Sequence, residues 1–157
     1  MTTICDYLML DHKRCDDFFL RADESIRQKS WPEAGDSFSL FRNATERHLG
    51  MEEKVLFPTF EQAIRNAESP IALLRREHLQ IRGMIERMAE AVSRMSCIDF
   101  LLHSETFMLL QQQHNQKEEE LLYPLLDKIL FLSDKREQII QAMSELRYRE
   151  ANTVAAG

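Results

Sequence analysis

Apolar residues recur at three- and four-residue steps through most of the chain. In the first run Leu8, Phe19 and Ile26 fall on one face, together with Cys5 and Cys15. This spacing is the period of an amphipathic α-helix. The pattern predicts four long helices and a short fifth one: 3 to about 29, Trp31 to about Asn66, Ser69 to about Ser96, Asp99 to about Ile129, and a last helix after Ser133-Asp134.

Four long helices with short connections predict an all-α fold, an antiparallel up-down four-helix bundle with a short fifth C-terminal helix. Residues 1–150 are expected to form a single domain and residues 151–157 a frayed tail. Thr2 or Thr3 can cap the first helix and Asp99 the fourth. Pro58 lies inside the second helical run, where it should kink or interrupt the helix because proline lacks the backbone N–H.

The inward face of the second helix predicts as core positions Leu40, Phe41, Ala44, Val55, Leu56 and Thr59. The inward face of the fourth helix predicts as core positions Phe100, Phe107, Leu110, Leu121, Leu122, Leu125 and Ile129.

One stretch of the chain occurs twice. A His, three intervening residues, a Glu pair and an apolar-aromatic-Pro ending begin at His48 and again 66 positions later, at His114. A further histidine precedes each copy by 36 positions. The repeated residues are His12, His48 and Glu52 in the first copy, and His78, His114 and Glu118 in the second.

The repeated histidines and glutamates are the candidate metal ligands. Residues four apart on a helix point the same way, so each His-xxx-Glu turns an imidazole and a carboxylate inward. Residue counts from the turns put the histidines of neighbouring helices at the same level, roughly 25 Å from the connections. Two inward carboxylates repel each other unless cations neutralise them. Four imidazoles and two carboxylates suit two divalent ions of iron, manganese or zinc.

Residues beside these six are expected to take little part in the site. A directly adjacent side chain on a helix points about 100° away, which argues against roles for Asp11, Glu77, Glu53 and Glu119. His103 lies about 16 Å from His114 along the helix and is expected to be a core or end-layer residue. Cys15 is predicted to pack, Asp16 is a candidate for an open metal position, and Tyr7 and Tyr123 are candidates for a polar edge.

Composition and charge exclude several classes of protein. The net charge of −6 carries no basic stripe, which argues against nucleic-acid binding. Three cysteines without a CxxC pair fit a reducing compartment. Neither a signal peptide nor an apolar run of about 20 residues is visible. A cytoplasmic protein without a membrane partner is therefore expected.

The doubled His-xxx-Glu-Glu with its Leu56-Phe57-Pro58 and Leu122-Tyr123-Pro124 endings resembles the hemerythrin-like (HHE cation-binding) domain family over roughly residues 4 to 130. The resemblance implies a four-helix bundle that holds an oxo- or hydroxo-bridged pair of non-haem iron ions. It also implies roles for the repeated residues, with His12, His48, His78 and His114 as terminal ligands and Glu52 and Glu118 as bridges.

The sequence departs from the oxygen-carrying hemerythrins, which use a fifth histidine on the third helix. The positions one turn from His78 are Leu74 and Arg82. The resulting open positions favour reaction with O2, NO or peroxide over reversible carriage. The predicted function is a cytoplasmic di-iron protein that binds or senses O2 or NO, or acts in oxidative, nitrosative or iron stress. An enzyme that disproportionates peroxide and a non-redox zinc protein are the alternatives, and both monomer and homodimer remain open.

Overall fold

The computed structural model describes residues 2–65, 68–132 and 134–155, and these residues contain helices and no strand. This confirms the predicted all-α fold. Two π-helical segments, Glu52–Leu56 and Glu118–Leu122, interrupt the second and fourth helices of the bundle. The α-helices are α1 Ile4–Arg27, α2 Trp31–Met51, α3 Phe57–Ala63, α4 Glu68–Ser93, α5 Cys97–Lys117, α6 Tyr123–Ile129 and α7 Lys135–Ala155.

The bundle consists of α1, α2 with α3, α4, and α5 with α6. Helix α1 packs mainly on α2, and α4 packs mainly on α5. The fifth helix of the prediction is α7, which touches α1 and α2. At 21 residues α7 is longer than the short helix that the sequence predicted, and it continues to Ala155, within the segment that was expected to fray.

The first turn of α1 is held from two directions. Thr3 is the N-cap: the Asp6 N–H donates to Thr3 Oγ1 at 2.9 Å, and the Thr3 N–H donates to Asp6 Oδ2 at 3.2 Å. Asp127, at the end of α6, accepts the backbone N–H groups of Ile4 and Cys5 at 2.8 and 2.9 Å. Carboxylates near a helix N-terminus satisfy free N–H groups and complement the helix dipole. These contacts fix the position of the helix that carries His12.

Two predicted helix starts were wrong by a few residues. Helix α5 begins at Cys97, where the Ser96 hydroxyl accepts the Asp99 N–H at 3.3 Å, so Ser96 and not Asp99 is the cap. Helix α4 begins at Glu68, one residue before the predicted start at Ser69. Helix α7 starts directly after Asp134, while Ser133 lies outside the described residues.

The predicted interruption at Pro58 takes the form of a π-helical segment directly in front of it. The Phe57 N–H donates to the Glu52 carbonyl, five residues back, where an α-helix would use the fourth. The same bond joins Tyr123 to Glu118 ahead of Pro124. In both copies the wider turn precedes a residue that has no N–H to continue the α-helical pattern.

Each π-helical turn holds extra chain and so shifts which residues face inward. Leu121, predicted as a core residue, is 69% exposed, whereas Leu122 and Tyr123 are buried. Leu125 and Ile129 are likewise exposed, and Leu126 takes the inward position. In the first copy Leu56 is buried as predicted, whereas Val55 and Thr59 are only partly buried and Phe57 and Phe60 take inward positions. The predicted core face of α2 also failed at Leu40, which is 52% exposed.

Two apolar clusters enclose the level of the repeated histidines. One contains five phenylalanine rings with centroid separations of 5.3 to 6.2 Å between neighbours. The other joins the π-helical segments to α1, α4 and α7 and includes Met143. Along α4, His78 falls between Leu74 of one cluster and Ile81 of the other. Packed apolar side chains therefore lie above and below the polar layer along the bundle axis. The rings are Phe19, Phe38, Phe41, Phe100 and Phe107.

Candidate metal centre

The six repeated residues converge on one buried layer of the bundle. Each is at most 3% exposed. They form two sets that share both glutamates, and within each set one ligand atom per residue lies within 4.8 Å of all the others. The sets are His12, His48, Glu52, Glu118 and His78, His114, Glu52, Glu118.

Glu52 and Glu118 each turn one carboxylate oxygen toward one histidine pair and the other oxygen toward the second pair. Glu52 Oε1 lies 3.5 Å from His48 Nε2, and Glu52 Oε2 lies 3.2 Å from His78 Nε2. Glu118 Oε2 lies 3.4 Å from His12 Nε2, and Glu118 Oε1 lies 2.9 Å from His114 Nε2. This divided orientation is what two bridging carboxylates require.

Several atoms in this layer that could bind a metal lack a hydrogen-bond partner. Among the residues that the structure describes, His48 Nε2, Glu52 Oε2 and Glu118 Oε1 are buried without one. An unsatisfied buried polar atom costs about 1–3 kcal/mol, more when it is charged. A cation in each set would take up these lone pairs and neutralise the two carboxylates. The donor set therefore fits two metal ions.

Each of the four histidines is oriented by a carboxylate from another helical segment. Since a carboxylate only accepts, each Nδ1 carries a proton, and the Nε2 lone pair of each ring faces the site once Nε2 is deprotonated. The Nδ1 contacts are His12 to Glu119 at 2.7 Å, His48 to Asp11 at 2.9 Å, His78 to Glu53 at 2.8 Å and His114 to Glu77 at 2.8 Å.

The expectation that these four carboxylates stand apart from the site was therefore wrong. Asp11 does point away from His12, its neighbour in the chain, but it reaches His48 on α2. Glu77 reaches His114 on α5 in the same way. Glu53 and Glu119 lie in the π-helical segments, where the wider turn changes the direction of a side chain relative to an α-helix.

Cationic side chains pair with the orienting carboxylates Glu53, Glu77 and Asp11. Arg82 donates to Glu53 Oε1 at 2.7 Å and to Glu46 Oε1 at 2.8 Å. Lys117 pairs with Glu77, and Arg14 lies 2.9 Å from Asp11 Oδ1. Burial disfavours the charged form of Glu53, but its hydrogen bonds to His78 and Arg82 outweigh burial and lower its pKa to about 2. Glu53 is therefore an anion throughout the neutral range.

The family model described as Hemerythrin HHE cation binding domain matches residues 3–126 of the chain. The chain belongs to this hemerythrin family. No curated protein and no solved structure gives a significant match. Family membership together with the two buried His/Glu sets makes this a metal-binding protein. Within the part of the chain that the structure describes, no helix has the length and apolar content needed to cross a membrane.

Tyr123 lies at the centre of the HHE site, not at the polar edge predicted for it. Its hydroxyl oxygen lies 2.5 Å from Glu52 Oε1, 2.9 Å from Glu118 Oε2 and 3.2 Å from His12 Nε2. Burial and the two neighbouring carboxylates raise its pKa well above the usual value for tyrosine. Comparison of the two sequence copies marks this position, because Phe57 stands where the second copy has Tyr123.

The remaining candidates lie outside both ligand sets. Cys15 is a buried free thiol one turn from His12, as expected of a packing residue. His103 is half-buried and lies outside the layer formed by the six candidate ligands (the metal layer), as predicted. Tyr7 packs at the border of an apolar cluster. Asp16 does not join a ligand set, and it lines a surface groove instead.

This groove, of about 680 Å³, lies between α1 and α5 of the HHE bundle. Its lining includes Asp16, Gln112 and Glu119, the last of which holds His12. The equivalent groove between α2 and α4 measures only about 260 Å³, and the ion pairs of Arg82 cross it. Asp16 stands 66 positions before Arg82, so the first copy has no arginine at this place. The α1–α5 side is therefore the more open approach to the metal layer.

Proposed function

We propose that this HHE domain holds two iron ions in its buried layer. His12 and His48 would bind one ion, His78 and His114 the other, and Glu52 and Glu118 would bridge both. The observation that carries the proposal is the orientation of the two glutamates, each of which turns one oxygen to each histidine pair.

The chemistry of the donors supports iron. Both sets combine imidazole nitrogen with carboxylate oxygen and include no thiolate, a mixture that suits iron, manganese or zinc. Two bridging carboxylates in a helix bundle are the arrangement of the di-iron and di-manganese carboxylate proteins. The orienting carboxylates raise the basicity of the imidazoles and fix their tautomers, which strengthens binding of a cation.

We further propose that the protein binds or senses O2 or NO in the cytoplasm, in defence against oxidative, nitrosative or iron stress. A bound iron pair supplies reversible redox chemistry with such molecules. The two His/Glu sets would offer two imidazoles and two carboxylate oxygens to each ion, which would leave room for an external ligand at six-coordinate iron. Apolar clusters above and below the layer favour small uncharged molecules as ligands.

Peroxide disproportionation at the same centre is a second candidate. The open groove between α1 and α5 favours it, since a polar substrate needs a polar approach and this one is lined by Asp16, Gln112 and Glu119.

Elemental analysis of protein purified and iron-loaded without oxygen tests the proposal. About two irons per chain are expected, together with an optical change on exposure to O2 or NO. Glu52→Ala should lose both ions, because each depends on this carboxylate, whereas Glu33→Ala, at an exposed glutamate of α2, should lose neither. One ion or none per chain in the unmodified protein contradicts the proposal. Rapid peroxide turnover that disappears in Glu52→Ala would favour the second candidate.

A further inference from the structure

The two copies of the site supply the same ligand types but differ in one aromatic residue inside the layer. Phe57 and Tyr123 occupy equivalent places, 66 positions apart. The Phe57 ring lies 5.2 Å from the His78 ring, and the Tyr123 ring lies 5.7 Å from the His12 ring. A phenol oxygen is therefore present only in the half of the site that contains His12 and His48.

The Tyr123 oxygen is spaced as a member of that ligand set. Donor atoms at right angles around an ion, each 2.0–2.1 Å away, are separated by about 2.9 Å. The Tyr123 oxygen lies 2.5, 2.9 and 3.2 Å from three of the four donor atoms of the set: Glu52 Oε1, Glu118 Oε2 and His12 Nε2. Within the set, His12 Nε2 and Glu118 Oε2 are 3.4 Å apart.

One phenol proton does not satisfy all three of these contacts at once. A phenol has one proton and can donate to only one of the two carboxylates. The second carboxylate then faces the lone pairs of the phenol in a site where both residues are fully buried. A cation shared by the three oxygens would convert this repulsion into attraction.

We propose that Tyr123 is a fifth protein ligand to the ion held by His12 and His48. This ligand assignment rests on the proposed two-metal function. The phenol gives its proton to solvent on metal binding and coordinates as a phenolate; no electron is transferred. The two metal positions are then chemically different, with five protein donors at one and four at the other. The ion held by His78 and His114 keeps the larger number of positions for an external ligand.

Spectroscopy of the oxidised, iron-loaded protein tests this ligand. A phenolate bound to ferric iron gives a visible charge-transfer band, and excitation into that band enhances the ring vibrations of the phenolate in Raman scattering. Both signals are expected in the unmodified protein. Tyr123→Phe should remove them and keep two irons per chain, whereas Tyr148→Phe, at an exposed tyrosine, should change neither.

The repeat offers a reciprocal variant. Phe57→Tyr places a phenol in the other half of the site, and about a twofold increase in the phenolate signal is expected. Two irons per chain with a spectrum that Tyr123→Phe leaves unchanged would overturn the proposed ligand but not the proposed function. Absence of bound metal would overturn both. If Tyr123→Phe does not fold, the Raman spectrum of the unmodified protein decides, since absent phenolate vibrations overturn the ligand.

Discussion

Glu53→Gln removes the negative charge of one carboxylate that orients a histidine and nearly preserves the shape of the side chain. Glu53 accepts the His78 Nδ1–H at 2.8 Å, and its lowered pKa of about 2 keeps it ionised at neutral pH. Glutamine is nearly isosteric, and its amide oxygen can still accept this bond. The variant therefore removes the negative charge that makes His78 a stronger base, and it leaves the ring in place.

The structure sets the size of the expected loss. Removal of such a carboxylate typically weakens metal binding 10- to 100-fold, which is about 1.4–2.7 kcal/mol. Arg82 already neutralises part of this charge through bonds of 2.7 and 3.1 Å to Glu53, and a quarter of the Glu53 side chain is exposed to water. Both features reduce the effect of the charge. A loss of about 10- to 30-fold is therefore expected, and only for the ion held by His78 and His114.

Competition with a chelator at pH 7, with redox-inert Zn²⁺ as the probe, measures the two affinities. Glu46→Gln is the matched control, because Glu46 also pairs with Arg82 but does not touch a histidine. Its affinities should stay within about twofold of the unmodified protein. Glu119→Gln should weaken the other ion, since Glu119 holds His12. Equal losses in Glu53→Gln and Glu46→Gln would refute the role of the bond to His78.

Three further predictions concern protons, access and stability. Metal binding at pH 7 should release protons, and the metal affinity should increase as pH rises. Burial opposes the charge on His78, but its hydrogen bonds to carboxylates raise its metal-free pKa to about 10, and a metal ligand must be deprotonated. A titration in weak buffer that shows no release would contradict this. The double variant Asp16→Arg, Gln112→Glu reproduces the Arg82–Glu46 ion pair in the open groove. Metal uptake measured by stopped-flow should therefore slow several-fold, and an unchanged rate would point to entry elsewhere. Phe41→Ala should lower the free energy of unfolding in urea by about 3–5 kcal/mol and keep two ions per chain, because Phe41 packs on three other rings away from the metal layer.

The sequence predicts the bundle and brings out the six repeated residues because both depend on short-range geometry. Residues i and i+4 share a helix face whatever surrounds them, which pairs His48 with Glu52 and His114 with Glu118. The equal spacing of 36 residues then sets His12 and His78 opposite them across a turn. The inward side of each helix, at that level, follows from periodicity alone.

The orienting carboxylates could not be predicted from one helix at a time. The direction of Asp11 relative to His12 indicates no role in the site, but its partner His48 lies on the neighbouring helix. Which helices adjoin, and at what rotation, is a property of packing and not of local sequence. The error at Leu121 has a related cause. A constant period of 3.6 residues cannot anticipate a π-helical turn, and every inward position after that turn moves by about one residue, or roughly 100°.

Two of the differences between the copies alter the surroundings of the ligand residues without removing a donor. Tyr123 in place of Phe57 adds an oxygen beside His12, and Asp16 in place of Arg82 removes the ion pair that crosses the groove on the other side. Tyr123 makes the half of the site near His12 more polar, and Asp16 leaves the groove beside that half more open. A duplicated ligand set would by itself give two equivalent ions. The unequal surroundings would instead give each of the two proposed ions its own environment, so that one would be held firmly while the other meets an external ligand.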